Sequence, residues 1–151
     1  GSASDGLSDK IRFQVNNYRL GQRRFSKIQI SLYASPFVMI PQAYADEEKA
    51  RALLQLSSGL DVVKGLQHHQ LSATGFWFIA DKTLLNYLES TFSNASIRHA
   101  GAVNIALMTG SKALSACDLF MNISDTSIEL ICKKNGEIIF YNVFACNTGE
   151  D

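Results

Sequence analysis

The sequence predicts an α/β fold: a mixed sheet, of the α+β kind, covered by helices. Three observations carry that prediction. Strand-like and helix-like segments alternate along most of the chain. The C-terminal third holds three strand-like runs between Asp118 and Ala145. The last two of these runs are joined by Asn135-Gly136, the residue pair that a type I′ hairpin turn demands. With 151 residues, 46% of them hydrophobic and 19% charged, the chain can bury an ordinary core without staples.

The elements follow in order. Residues 1–10 are small and polar and are expected to fray, Gly1-Ser2 reading as a tag-cleavage remnant. Ile11 to Tyr18 alternates as a strand does. Lys27 to Tyr33 alternates more clearly, with Ile28, Ile30 and Leu32 on one face. Phe37 to Ile40 is a short strand bracketed by Pro36 and Pro41, which end pairing without spoiling a ladder. Asp46 caps a helix with Glu47 and Glu48 in its first turn and Ala50, Leu53, Leu54 and Leu56 as its stripe; Ser57-Ser58-Gly59 ends it. Leu71 to Ala80 is the next strand, centred on Phe76-Trp77-Phe78-Ile79, an aromatic run that reads as core in preference to a stacking platform. Asp81 caps a helix with Leu84, Leu85, Leu88 and Phe92 on one face. Ser96 to His99 is a short strand and Gly101 to Thr109 a helix of small residues, after which the meander begins.

Bulk charge excludes little. Fourteen basic and fourteen acidic residues balance, so no global field favours nucleic acid or membrane. A basic segment from Arg12 to Lys27, with Arg19, Arg23 and Arg24, keeps nucleic-acid binding as a third reading, although a solvated face explains it as well. No apolar run is long enough to span a bilayer, and a cytoplasmic location is expected. Cys117, Cys132 and Cys146 form no C-x-x-C pair; they read as buried thiols in a reducing compartment. His68-His69 and His99 lack the i, i+4 spacing of metal-binding helices, so no metal is expected. No G-x-G-x-x-G or G-x-S-x-G occurs, and Gly110-Ser111-Lys112 has the letters of a phosphate loop in the wrong order.

A strand, a tight polar loop (Ser124 to Ser127), a second strand, an Asn-Gly turn and a third strand resemble the opening of a subdomain in the actin-like ATPase superfamily, of ribonuclease H-like architecture. Ile28 to Pro41, Trp77 to Arg98 and Ile139 to Phe144 are similar to an uncharacterised Bacteroidetes family with that fold. The resemblance implies that residues 11–60 form part of a first subdomain and 61–151 a second, with Gly59 to Gly65 as the crossing; the chain is expected to be incomplete at one or both ends.

In active members of the superfamily the loop after the first strand carries an Asp, then a Gly, then Thr or Ser. The Asp organises a metal and water, and the Gly lets backbone N–H groups reach the phosphates. The matching positions here are Asn122 and Ser124, followed by Asp125, Thr126 and Ser127. Asn122 lacks the charge that holds a divalent cation, and Ser124 carries a Cβ where close approach is needed. The resemblance thus implies a degenerate phosphate loop: a non-catalytic adaptor or scaffold with no cofactor, engaging an unknown protein partner or a second copy of itself. The alternative is an ATP-binding protein with displaced ligands, Asp125 replacing the missing carboxylate beside Thr126 and Ser127.

Overall fold

The computed structural model describes residues 3–59, 65–110 and 116–146. The Gly59 to Gly65 crossing lies mostly outside these residues, as do Ser111, Lys112 and Gly149-Glu150-Asp151. The chain divides into two compact units, Gly1–Ala100 and Gly101–Asp151.

The first unit opens with a helix, α1 (Ala3–Asn17), where fraying and then a strand were expected. The reason lies in spacing. A strand over Ile11 to Tyr18 would put Phe13 on the same face as Ile11 and Val15. A helix instead aligns Ser8, Ile11, Arg12 and Val15, which are buried or half-buried, and sends Phe13 outward at 66% exposure. Strand β1 (Ile28–Leu32) follows the expected alternation and pairs in parallel with β5 (Ala95–His99), Ile28 opposite Ala95 and Leu32 opposite His99.

The second sheet of this unit has the order β2-β4-β3, all antiparallel, from Phe37–Pro41, Thr74–Ile79 and Leu66–Leu71. The single strand expected over Leu71 to Ala80 is therefore a hairpin, turning at Ser72-Ala73. The run Leu66-Gln-His-His-Gln-Leu71 is apolar only at its ends, so hydrophobicity does not announce it. As an edge strand it needs little apolar surface, and β4 supplies its ladder. Helix α2 (Glu47–Ser58) starts where Asp46 Oδ1 accepts from Lys49 N at 2.7 Å and stops at Gly59, whose φ of 67° suits glycine. Leu56, expected in its stripe, points to solvent at 84% exposure; Ala50 and Leu54 carry the packing. In α3 (Lys82–Thr91), Asp81 Oδ1 accepts from Leu84 N at 2.8 Å, and Leu84, Leu85 and Leu88 are buried as expected. Phe76 and Phe78 are the largest buried side chains of this unit, so the aromatic run is core.

The second unit contains α4 (Ala100–Gly110) and the meander β6 (Cys117–Ile123), β7 (Ser127–Lys134) and β8 (Glu137–Ala145), with β7 central. Asn135 and Gly136 take φ values of 51° and 88°, the double positive φ that a type I′ turn requires. A register shift between Cys132 and Lys133 marks a bulge beside that turn. Among the described residues no helix is long and apolar enough to cross a membrane.

Candidate functional site

The sequence places its candidate site at the β6–β7 connection, and the structure brings those residues to one loop. Asn122 is near the end of β6, Ser124 to Thr126 form the turn, and Ser127 opens β7. Ser124 organises the turn. Its backbone N–H donates to Ser127 O at 2.9 Å, and its hydroxyl oxygen accepts from Ser127 N at 3.0 Å and Thr126 N at 3.4 Å. The two serine hydroxyls lie 2.8 Å apart. Cys146 N donates to Thr126 O at 2.9 Å, tying the loop to the residue after β8. This is a self-contained serine turn. The amides of residues 126 and 127 already have an acceptor, and it is the side chain at the position where the resemblance implies a glycine.

Asn122 faces a different task from the one its position suggests. Its side-chain amide donates to Glu129 Oε2 at 3.3 Å, and Asn104 of α4 donates to the same oxygen at 2.8 Å. Asn122 lies in a strand and is exposed. Asp125 is exposed at the tip of the turn.

Glu129 and Lys133 belong to a polar cluster that sequence reasoning missed. On β7, Glu129, Ile131 and Lys133 share one face, and each is at most 2% exposed. Lys133 Nζ donates to Met108 O of α4 at 2.9 Å and lies 3.8 Å from Asp118 Oδ2, its register partner on β6. The sequence holds one usable signal: charges at 129 and 133 alternate with apolar Ile128, Leu130 and Cys132. Alternation gives two faces; it does not say which face a helix covers. Here α4 covers the charged one. The other face carries Leu119, Met121, Ile123, Phe140 and Phe144, all exposed, Leu119 and Ile123 at 62% and 67%.

A histidine cluster forms in the first unit. His99 is buried among Phe37, Phe76 and Phe78, its ring centroid 4.7 Å from that of Phe76, and its Nε2 lies 2.7 Å from Ala34 O. His99 N donates to His69 Nε2 at 3.1 Å. That bond needs a neutral His69, and burial first, with the charges of Arg98, His99 and His68 adding, lowers its pKa below the ordinary histidine value. Its neighbour His68 points to the other face of β3 and stacks on Trp77, with centroids 4.2 Å apart. No group of three or more metal-ligating side chains converges among the described residues. In the basic segment, Arg12 lies over the Tyr87 ring at 5.1 Å, while Arg19, Arg23, Arg24 and Lys27 are exposed.

The family model for proteins of unknown function named DUF3822 matches residues 3–151. The chain belongs to that family. The crystal structure of a Bacteroides thetaiotaomicron protein with actin-like ATPase fold and unknown function superposes with a TM-score of 0.84 at 17% identity. The match takes in 95% of this chain and 57% of that one, so this chain spans little more than half the length of its neighbour. No curated protein matches the sequence. The fold implied by the meander and its approach is therefore the fold the chain has, and the function of the family is unknown.

Proposed function

We propose that this DUF3822 chain is a non-catalytic actin-like module, a cytoplasmic adaptor or scaffold whose phosphate loop has been given over to structure. The single observation that carries the reading is the closure of the β6–β7 turn on Ser124. Thr126 N and Ser127 N both donate to Ser124 Oγ, so a phosphate would have to displace that hydroxyl to use either amide. Asn122 supports it: the residue at the metal-organising position is neutral and hydrogen-bonded to Glu129. A partner-binding role is supported by the uncovered apolar face of the meander, since contiguous apolar surface on a folded chain marks an interaction site.

The test is calorimetric titration of magnesium-ATP into the purified chain, alongside a thermal-shift assay. The reading expects no binding heat and no shift at millimolar nucleotide. Saturable binding that disappears in Asp125→Ala overturns it in favour of an ATP site with displaced ligands.

A further inference from the structure

Cys117 and Cys132 stand 15 positions apart in sequence, and the meander brings their Sγ atoms to 3.5 Å. Their register is diagonal: Cys117 lies opposite Lys134, and Cys132 opposite Leu119. Both thiols therefore share the β6–β7 face that α4 does not cover. Cys117 is exposed and Cys132 half-exposed, where the sequence suggested buried thiols. Most of the reach between two strands is already spanned by the side chains. Closing from 3.5 Å to the roughly 2.05 Å of a disulfide asks for side-chain rotation and a small adjustment at Cys117, the first residue of β6. Cys146 follows β8, and its Sγ contacts Phe144 O at 4.0 Å, so it belongs to another locality.

We propose that Cys117 and Cys132 are a dithiol modification site, oxidised to a reversible intrachain disulfide by a low-molecular-weight disulfide such as glutathione disulfide. The exposed Cys117 reacts first. Its thiolate attacks one sulfur of the small disulfide, a mixed disulfide forms, and one small thiol leaves. Cys132, 3.5 Å away, then gives up its proton and attacks Cys117 Sγ. The Sγ–Sγ bond forms, the mixed bond breaks, and the second small thiol departs with the proton. Two protein thiols are oxidised by two electrons, and one small disulfide is reduced to two thiols. The hydrogen bond from Cys117, followed by burial, raises the Cys132 pKa, which suits a resolving thiol more than a first nucleophile. The bond would cross the meander beside Leu119, so the site couples redox state to one border of the apolar face. The inference does not depend on whether nucleotide binds.

The experiment is incubation of the whole chain with glutathione disulfide at pH 8, read by intact mass and by thiol titration in denaturant. The expected result is a monomer lighter by two hydrogens, a fall from three titratable thiols to one, and a mapped link between Cys117 and Cys132, all reversed by dithiothreitol. The Cys132→Ser variant should instead hold a stable glutathione adduct on Cys117, because the resolving thiol is gone. Three results each overturn the inference: three thiols still titratable, a persistent adduct on the wild-type chain, or a link to Cys146 or between chains.

Discussion

Among the described residues are two three-stranded antiparallel sheets, and their central strands bury opposite kinds of side chain. In β2-β4-β3, the central β4 hides Phe76 and Phe78 on one face and Gly75 on the other, with Trp77 half-buried. In β6-β7-β8, the central β7 hides Glu129 and Lys133 around Ile131 and leaves its apolar side beside the exposed Leu119, Met121 and Ile123. The first sheet follows the ordinary rule that apolar residues face the core. The second gives its buried charges polar neighbours, Asn104 and Asn122 at Glu129 Oε2 and Asp118 and the Met108 carbonyl at Lys133, and keeps its apolar face outside. The difference separates a sheet whose central strand buries aromatic rings from one whose central strand buries charge and leaves apolar neighbours exposed.

The comparison is broken most severely in the first sheet. Phe76→Ala should lower unfolding stability by about 3–5 kcal/mol in urea titration, because it empties a fully buried ring site. Leu119→Ala, an apolar truncation on the uncovered face, should stay under about 1 kcal/mol. Equal losses would mean that the meander face is packed after all.

Lys133→Ala should come next, at about 3 kcal/mol, since it removes the cation beside a partly buried Asp118 and the donor to Met108 O. Lys133→Met should recover part of that loss by refilling the volume. A Met variant no better than the Ala variant would show that the ammonium itself is indispensable to the face.

Asn122→Asp sharpens the functional side of the comparison. It introduces the carboxylate that the resemblance to actin-like ATPases implies at this position, but sets it beside Glu129 Oε2, which lies 3.3 Å from the Asn122 amide, so that two like charges meet. The expected outcome is a loss of about 1 kcal/mol at pH 7, eased on acidification as one carboxyl protonates, and no gain of magnesium-ATP binding. Binding by this variant would mean that one charge was all the loop lacked.

The smallest effect belongs to pH. The folded pKa of His69 is lowered, so the unfolded chain takes up a proton at this site that the folded chain refuses. The contribution of the site is present above the unfolded value of about 6.5 and is lost as pH falls from there through the lowered folded pKa. His69→Gln should remove that part of the acid sensitivity in thermal melts between pH 7 and 5. An unchanged profile would assign the sensitivity to other groups.

What the sequence made legible follows from these same contrasts. Helices α2 and α3 were readable from Asp46 and Asp81, because an acidic cap followed by an apolar stripe has few competing explanations. The meander was readable from Asn135-Gly136, a pair with a narrow conformational use. Helix α1 was missed because Ile11, Phe13 and Val15 satisfy a period of two while Ile11 and Val15, four apart, also fit a helix face, and only burial separates the two. Strand β3 was missed because an edge strand with His68 and His69 at its centre needs no apolar run. At the candidate site the sequence offers the identities of Asn122 and Ser124, whereas the Ser124 hydroxyl as acceptor for two amides is a matter of geometry. The polar cluster and the thiol pair were out of reach for a related reason. Asn104 meets Glu129, and Cys117 meets Cys132, through helix placement and strand register, which residue spacing does not specify.

The most direct measurement is a nitrogen-15 NMR titration of the chain with magnesium-ATP, following the backbone amides of Thr126 and Ser127. The account predicts that both resonances stay in place at millimolar nucleotide, held by Ser124 Oγ. Saturable shifts at those two amides would show that the loop releases its own hydroxyl for a phosphate, and would contradict a non-catalytic module.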